Sequence, residues 1–195
     1  MGVMGKHGVS ASTPENILLG AGTIHRGLKW NAETSTWDGA IIGATSGGNS
    51  VEIKGEIKDI ELDGALVKVK GLAVMQGGTG TMEVNFAELS VDTMKIGMIG
   101  EVAESDATGY SMIQTKANIE EGDYVENFAF VGKTANDAKD IIVIMENALC
   151  TSGLKIEGKN KENAVVKLTM EAYAENAGNL DRVPVRIYYP TAQIV

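Results

Sequence analysis

Cysteine and proline are scarce in this sequence. The single cysteine, Cys150, excludes an intramolecular disulfide and with it a secreted domain held together by disulfides. A small buried thiol is the simplest interpretation of Cys150, because a nucleophilic cysteine needs a histidine partner and the chain offers only His7 and His25. The 3 prolines argue against a disordered or linker-rich chain.

Long apolar runs are also missing. No apolar run approaches the length that crosses a bilayer, and residues 1–13 lack the apolar core of a signal peptide. The sequence therefore predicts a protein that is made in the cytoplasm and stays there unless an assembly carries it out. Residues 1–13 predict a flexible N-terminal arm, either frayed or ordered by a neighbouring molecule.

Basic residues are in the minority. The chain has 17 Lys and Arg against 26 Asp and Glu, which gives a formal net charge of −9. Affinity for phosphate comes from Lys and Arg, so an acidic chain is a poor candidate for binding nucleic acid tightly. The protein could lie beside nucleic acid that it must not bind, although solubility alone also explains the charge.

The sequence shows none of the common motifs of catalysis or of metal or cofactor binding. The glycine-rich segment 43–50 lacks the Lys-Ser/Thr ending of a phosphate loop and leads into a predicted strand instead of a helix. The histidines and the cysteine match no zinc spacing, and the acidic segments 101–106 and 120–123 do not match a calcium loop. Those acids are better explained as solvated loop charge. We expect no enzyme activity, no catalytic residue, no metal and no cofactor.

The chain does contain short segments in which apolar and polar residues alternate, as in half-buried strands. The clearest of them lie at 24–30, 82–86, 166–172 and 183–189. A continuous apolar run, Ile141–Met145, favours a strand buried on both faces. Gly20 and Gly22 predict a bulge, and Asp38-Gly39 predicts a turn. We expect about eight to ten strands that adjoin in sequence, and hence a mainly β protein with an antiparallel β-sandwich or barrel.

One short α-helix should flank the sheet. Ser90 occupies the position of an N-cap, and Gly100 follows the end of the helical pattern. Val91, Met94 and Met98 recur at helical spacing and give the helix one apolar face. A helix of about ten residues is marginal alone. These three residues are therefore predicted to pack it against the sheet.

Segment 43–72 predicts a bent hairpin with alternating charge. Residues 51–54 alternate between apolar and charged side chains, but Ile60 and Leu62 fall in the opposite phase. This shift of one residue predicts a bulge or sharp bend near Lys58-Asp59. Asp63-Gly64 then predicts a turn, with a returning strand at 67–69 and a glycine-rich loop at 71–80.

Two classes of function fit these features. The first is a structural subunit whose edges and loops pair with copies of itself. The second is a small monomeric β-barrel that binds a ligand, or an enzyme with an unrecognised site. The long charged hairpin and the N-terminal arm favour the first class, because a monomeric binder covers or charges its strand edges.

An ordered set of segments resembles the major tail tube proteins of tailed bacteriophages and prophages. The segments are Glu15–Gly22, Gly43–Asn49 followed by Glu52, Ile60–Ala65, Val69–Leu72 and Leu89-Ser90 before the helix. No single segment is diagnostic, and their order carries the resemblance. It covers most of the chain and is weaker after about Gly153.

The resemblance implies the tail tube fold, which is similar to that of the type VI secretion tube protein, in a single domain over 14–195. Six copies would close a ring, with their inner sheets joined into one β-barrel around a channel. The rings would stack along a tape measure protein, between a tail terminator and distal tail or baseplate proteins, inside a sheath if the tail contracts. The genome would pass through without specific binding. Such a protein is located in the virion tail, has no membrane partner and is made in the host bacterial cytoplasm.

The resemblance also makes the hairpin, about residues 50–80, the element that reaches a neighbouring ring. Candidate contact residues between subunits or rings are Lys54, Lys58, Asp59, Glu61, Asp63, Lys68, Lys70 and Met75. The lysines are expected either to meet acidic residues of the next ring or to form a solvated face. The net charge of −9 is compatible with a channel that repels DNA.

Overall fold

The structure, a computed structural model, describes residues 13, 17–134, 140–157 and 164–190. The predicted N-terminal arm lies outside these residues, apart from Thr13. The described residues form ten strands and one α-helix. The elements are β1 Leu18–Asn31, β2 Thr36–Ile41, β3 Ser50–Asp59, β4 Ala73–Phe86, α1 Val91–Met98, β5 Gly100–Ala103, β6 Met112–Thr115, β7 Val125–Thr134, β8 Asp140–Cys150, β9 Val166–Tyr173 and β10 Val185–Tyr188.

The strands pair in one large antiparallel sheet and one small one. The large sheet is ordered β2-β1-β7-β8-β9-β4-β3, and β5 pairs with β6 separately. β7 lies along one edge of β8, while the other edge is shared by β10, at residues 142–145, and β9, at residues 147–150. The sheet therefore divides into two halves at β8. The predicted fold class is confirmed: the chain is mainly β and antiparallel, with a single α-helix in its described part.

The main core brings together apolar residues from the two halves of the sheet. One half contributes Ile24, Phe128, Phe130, Val143 and Met145, and the other contributes Met82, Val84, Phe86, Val166, Leu168 and Met170. Burial at every second residue of β4 and β9 reflects strands with one face turned inward. Cys150 belongs to this core, which confirms the predicted buried thiol.

The opposite face of the first half carries a second, smaller core. It contains Leu28, Ala129, Ile142 and Ile144, with Trp37 and Val131 packed against them. β8 is therefore apolar on both faces, which explains its continuous apolar run and confirms that Ile141–Met145 forms a strand.

The turn predicted at Asp38-Gly39 is wrong. The turn lies at residues 32–35, and Asp38-Gly39 is inside β2. A Cβ on Gly39 would lie 2.8 Å from Leu28 Cδ1, closer than packing allows. Gly39 therefore permits β2 to approach Leu28 and does not reverse the chain.

The loop predicted at 71–80 is also wrong for most of its length, because Ala73 begins β4. A Cβ on Gly80 would lie 2.5 Å from Val185 Cγ2, and one on Gly78 would lie 2.6 Å from Val183 Cγ2. These glycines let the segment around β10 close against β4.

The helix begins where the sequence predicts. The Ser90 hydroxyl accepts a hydrogen bond from the Thr93 backbone N–H at 3.1 Å, and the Thr93 hydroxyl accepts one from the Ser90 N–H at 2.8 Å. This reciprocal capping box satisfies two backbone donors at the start of α1.

The predicted packing face of α1 needs correction. The buried residues are Thr93 and Gly97, whereas Met94 and Met98 are half-buried and Val91 is exposed. The helix therefore turns small residues toward the body of the protein, and Gly97 leaves room there for the side chains of Leu168 and Leu154.

Candidate assembly surface

A long hairpin extends beyond the sandwich; residues 55–77 are called the projecting hairpin below. β4 is exposed from Ala73 to Gly77, and only from Gly78 onward does the body begin to cover it. Strands rise about 3.3 Å per residue, so the paired part of the projecting hairpin is roughly 15 Å long. The sequence predicted a hairpin over 50–80, and the pairing of β3 with β4 agrees with this.

The strands of the hairpin contain a bulge, though not where the sequence placed it. Glu56 pairs with Gly77 and Ile57 pairs with Met75, so the extra residue is Gln76 in β4. The apolar phase shift was expected in β3 near Lys58-Asp59. That position is incorrect, because β3 ends at Asp59 and the bulge lies in its partner.

The end of the hairpin is a loop over 60–72. The turn predicted at Asp63-Gly64 is present, and Gly64 adopts the left-handed conformation with φ of 84°. The returning strand predicted at 67–69 is wrong, since those residues lie in the loop. The Ile60 N–H donates to the Leu72 carbonyl at 2.8 Å, which closes the loop where the strand pairing ends.

The projecting hairpin exposes many apolar side chains that the described chain does not cover. They are Ile57, Ile60, Leu62, Leu66, Val67, Val69, Val74 and Met75. Leu66 is 99% exposed and Met75 is 69% exposed. Exposed apolar side chains that are concentrated on one element mark an interaction surface.

The predicted contact residues all lie on the projecting hairpin or at its base, and most of them are exposed. The exposed ones are Lys54, Lys58, Glu61, Asp63, Lys68, Lys70 and Met75. Lys68 Nζ binds Asp59 Oδ2 at 2.5 Å, so Lys68 has a partner within its own hairpin. The hydrogen bond and the charge of Asp59 raise the pKa of Lys68.

Asp123 does not match the solvated loop charge that the sequence predicted, whereas the Glu120 side chain is 72% exposed and agrees with it. Both carboxylates bind Lys116 Nζ at 2.8 Å, and the Asp123 side chain is 3% exposed. Burial by itself would raise the pKa of Asp123, but the Glu120 backbone N–H and the Lys116 ammonium outweigh it and lower the pKa. The cluster holds the loop before β7 in place.

Sequence reasoning missed a second surface, formed by aromatic rings on the outer face of the sheet. Trp30, Trp37 and Tyr188 come from β1, β2 and β10. Ring centroids lie 5.4 Å apart for Trp30 and Trp37 and 4.7 Å apart for Trp37 and Tyr188, both pairs edge to face. The residues are distant in sequence, so no local pattern could have joined them.

These rings border an open cavity of about 560 Å³, called the aromatic pocket below. Tyr189 and Pro190 extend this side, Asp140 adds a carboxylate, Ser35 adds a hydroxyl, and Ile142 of the smaller core also contributes to the lining. The pocket is therefore apolar and aromatic with one acidic side chain.

The described residues contain no group of three or more His, Cys, Asp or Glu side chains placed to hold a metal ion. Within the same residues, no helix is long and apolar enough to cross a membrane.

Comparison with known proteins yields matches among solved structures. No protein-family model matches the chain, and no curated protein matches it. Among solved structures, the chain is similar to one in the tail of an empty GTA particle, computed with helical refinement and C6 symmetry. The match has a TM-score of 0.42 and 13% identity, and it covers 82% of this chain and 96% of that chain. A likeness of this degree carries no argument about function.

Proposed function

We propose that this protein is the structural subunit of a tail tube in a phage or a phage-like particle. Copies of it associate into hexameric rings, and the rings stack into a hollow conduit for passage of the genome into the host. The ordered sequence resemblance to tail tube proteins supports this function. The structural observation that carries it is the projecting hairpin, with its row of uncovered apolar side chains.

The exposed apolar side chains of this hairpin favour association energetically. Burying one large aliphatic side chain contributes about 1.5–3 kcal/mol. The hairpin carries eight exposed apolar side chains that its own chain leaves in water. A second copy that covers even a few of them recovers this free energy, and a repeated assembly recovers it at every subunit.

The edges of the sheet also suit an assembly. β2 and β3 lie at the two ends of the strand order, and neither has a second neighbour in the described chain. Unpaired edges offer backbone donors and acceptors to another copy. β3 contains no proline that would block such pairing.

By the sequence resemblance, the partners of the tube are a tape measure protein, a tail terminator and distal tail or baseplate proteins, with a sheath in a contractile tail. DNA passes through the lumen without specific binding, and the net charge of −9 per subunit supports weak contact with phosphates. The acidic residues that face the lumen are expected to outnumber lysines and arginines there.

Electron microscopy and sedimentation of the purified full chain test the function. We expect rings or tubes, alone or after addition of the particle's tail initiator proteins.

The double variant Leu66→Ser with Val67→Ser should prevent association without lowering Tm, because both side chains are exposed. Val102→Ser is the matched control, since Val102 is 54% exposed and lies in β5, outside the hairpin. A chain that stays monomeric in both conditions, or that turns over a small molecule as a monomer, contradicts the proposal.

A further inference from the structure

We propose that the aromatic pocket binds a lysine side chain from the projecting hairpin of a second copy, Lys58 or Lys70. This inference rests on the proposed function, because it names the surface on which the hairpin of a neighbouring subunit docks. It joins two surfaces that the fold leaves uncovered.

The chemistry of the pocket suits an ammonium group. The faces of Trp and Tyr rings carry partial negative charge and attract a cation within about 6 Å of the ring centre. In an edge-to-face pair the edge-on ring keeps both faces open to other neighbours, and both aromatic pairs here have this geometry. Asp140 is exposed and forms no ion pair with a described residue, so its carboxylate is available to a cation.

A purely structural role explains only part of the pocket. Trp37 packs on the smaller core and shields it from water. Trp30 does not belong to that core and remains 51% exposed. A large exposed ring beside a carboxylate exceeds what is needed to cover Ile142 and Ile144, which points to an external occupant.

The projecting hairpin supplies cations of the right kind. Lys58 and Lys70 are exposed and have no ion pair within the described chain, whereas Lys68 is bound to Asp59. Lys58 follows Ile57, and Lys70 follows Val69, both exposed apolar residues. The ammonium group of such a lysine can meet the carboxylate and the rings of the pocket, while the neighbouring aliphatic side chain packs on ring surface.

The occupant must come from another copy. The pocket is open in the folded chain, and none of its lining residues belongs to the projecting hairpin. The hairpin of the same chain therefore does not fill it. A contact between two different surfaces of the same molecule repeats head to tail and generates rings or filaments.

Tryptophan fluorescence of the full chain reports on this contact directly, because both of its 2 tryptophans line the aromatic pocket. We expect tryptophan emission to change when the protein assembles. Asp140→Asn, Trp30→Leu and the double variant Lys58→Gln with Lys70→Gln should each weaken association by roughly tenfold, about 1.4 kcal/mol. The single lysine variants identify which side chain enters the pocket. Asp106→Asn, an exposed acid in another loop, is the matched control and should leave association unchanged.

Coupling between the variants provides the decisive test. Combining Asp140→Asn with the two lysine variants should weaken association little further than either change alone, because both remove the same contact. Additive effects, or assembly with unchanged emission and unchanged affinity in all variants, overturn the inference while the tube function stands. A chain that never associates overturns both.

Discussion

At the scale of single residues, His25 is a half-buried side chain whose pKa the fold lowers. Its Nε2 lies 3.0 Å from Thr23 Oγ1, and its Nδ1 is buried with no hydrogen-bond partner in the described chain. Burial lowers the pKa of His25, and the charge of Asp140 opposes this in part. The folded protein therefore keeps the imidazole neutral at a pH where the unfolded chain already binds a proton.

This difference predicts a loss of stability in weak acid. Between the unfolded pKa, about 6.5, and the lower folded pKa, the unfolded chain binds more protons, so stability falls as the pH falls. Above the unfolded pKa His25 contributes no pH dependence. Urea unfolding from pH 7.5 to pH 5 should therefore show a steeper decline for the natural chain than for His25→Gln. Equal slopes would show that His25 has the same proton affinity in both states.

Glycine shows how much the sequence reveals at this scale. Gly20 and Gly22 were predicted to form a bulge, and both have positive φ where the pairing of β1 with β7 shifts register. Gly39 and Gly80 were assigned to a turn and a loop but lie inside strands, beneath Leu28 and Val185. A glycine at a turn or bulge can be recognised from the residues next to it in the sequence. A glycine that makes room for a distant side chain cannot, because the fold alone brings that side chain near.

At the scale of elements, α1 shows the same difference between features set by neighbouring residues and features set by distant ones. Its start was predictable, because Ser90 and Thr93 cap it through contacts three residues apart. Its packing face was not, because helical spacing pointed to the methionines. The buried residues are Thr93 and Gly97, and Gly97 lies against Leu168 and Leu154 from distant segments.

This packing predicts which helix substitution is costly. A Cβ on Gly97 would lie 3.0 Å from Leu168 Cδ2 and 3.1 Å from Leu154 Cδ1, so a larger side chain must displace the helix. We expect Gly97→Leu to lower the free energy of unfolding by about 1–3 kcal/mol. Met94→Leu, at a half-buried position, should cost less than about 1.5 kcal/mol. Urea unfolding measures the free energy of unfolding of both variants. A larger loss for Met94→Leu than for Gly97→Leu would show that the methionine face is the main packing surface.

At the scale of the whole molecule, the sequence predicted the two features on which the proposed function rests. Antiparallel strands and a charged hairpin within 43–72 were both visible in alternation and turn residues. The strand that completes the hairpin was not, because Ala73–Gly80 is rich in glycine and part of it lies beyond the body. The aromatic pocket was also missed, since it joins Trp30 to Tyr188 across most of the chain.

The division between body and projecting hairpin predicts two independent effects of glycine substitution within β4. Gly80 lies under Val185, where a Cβ would be 2.5 Å from Cγ2, so Gly80→Val should disrupt the closing of β10 on β4 and cost about 1–3 kcal/mol of stability. Gly77 meets only Glu56 Oε2, at 3.4 Å, and a β-branched residue suits a strand. Gly77→Val should therefore change stability by no more than about 0.5 kcal/mol.

Measuring unfolding and sedimentation on both variants tests this division. The hairpin variant Gly77→Val should keep its Tm, and any change should appear in association alone. The body variant Gly80→Val should unfold at a lower temperature, and the protein that remains folded should still associate. Equal destabilisation by both substitutions would mean that the hairpin and the body fold as one energetic unit. In that case the stability of the hairpin would depend on the body, and the division between the two would be wrong.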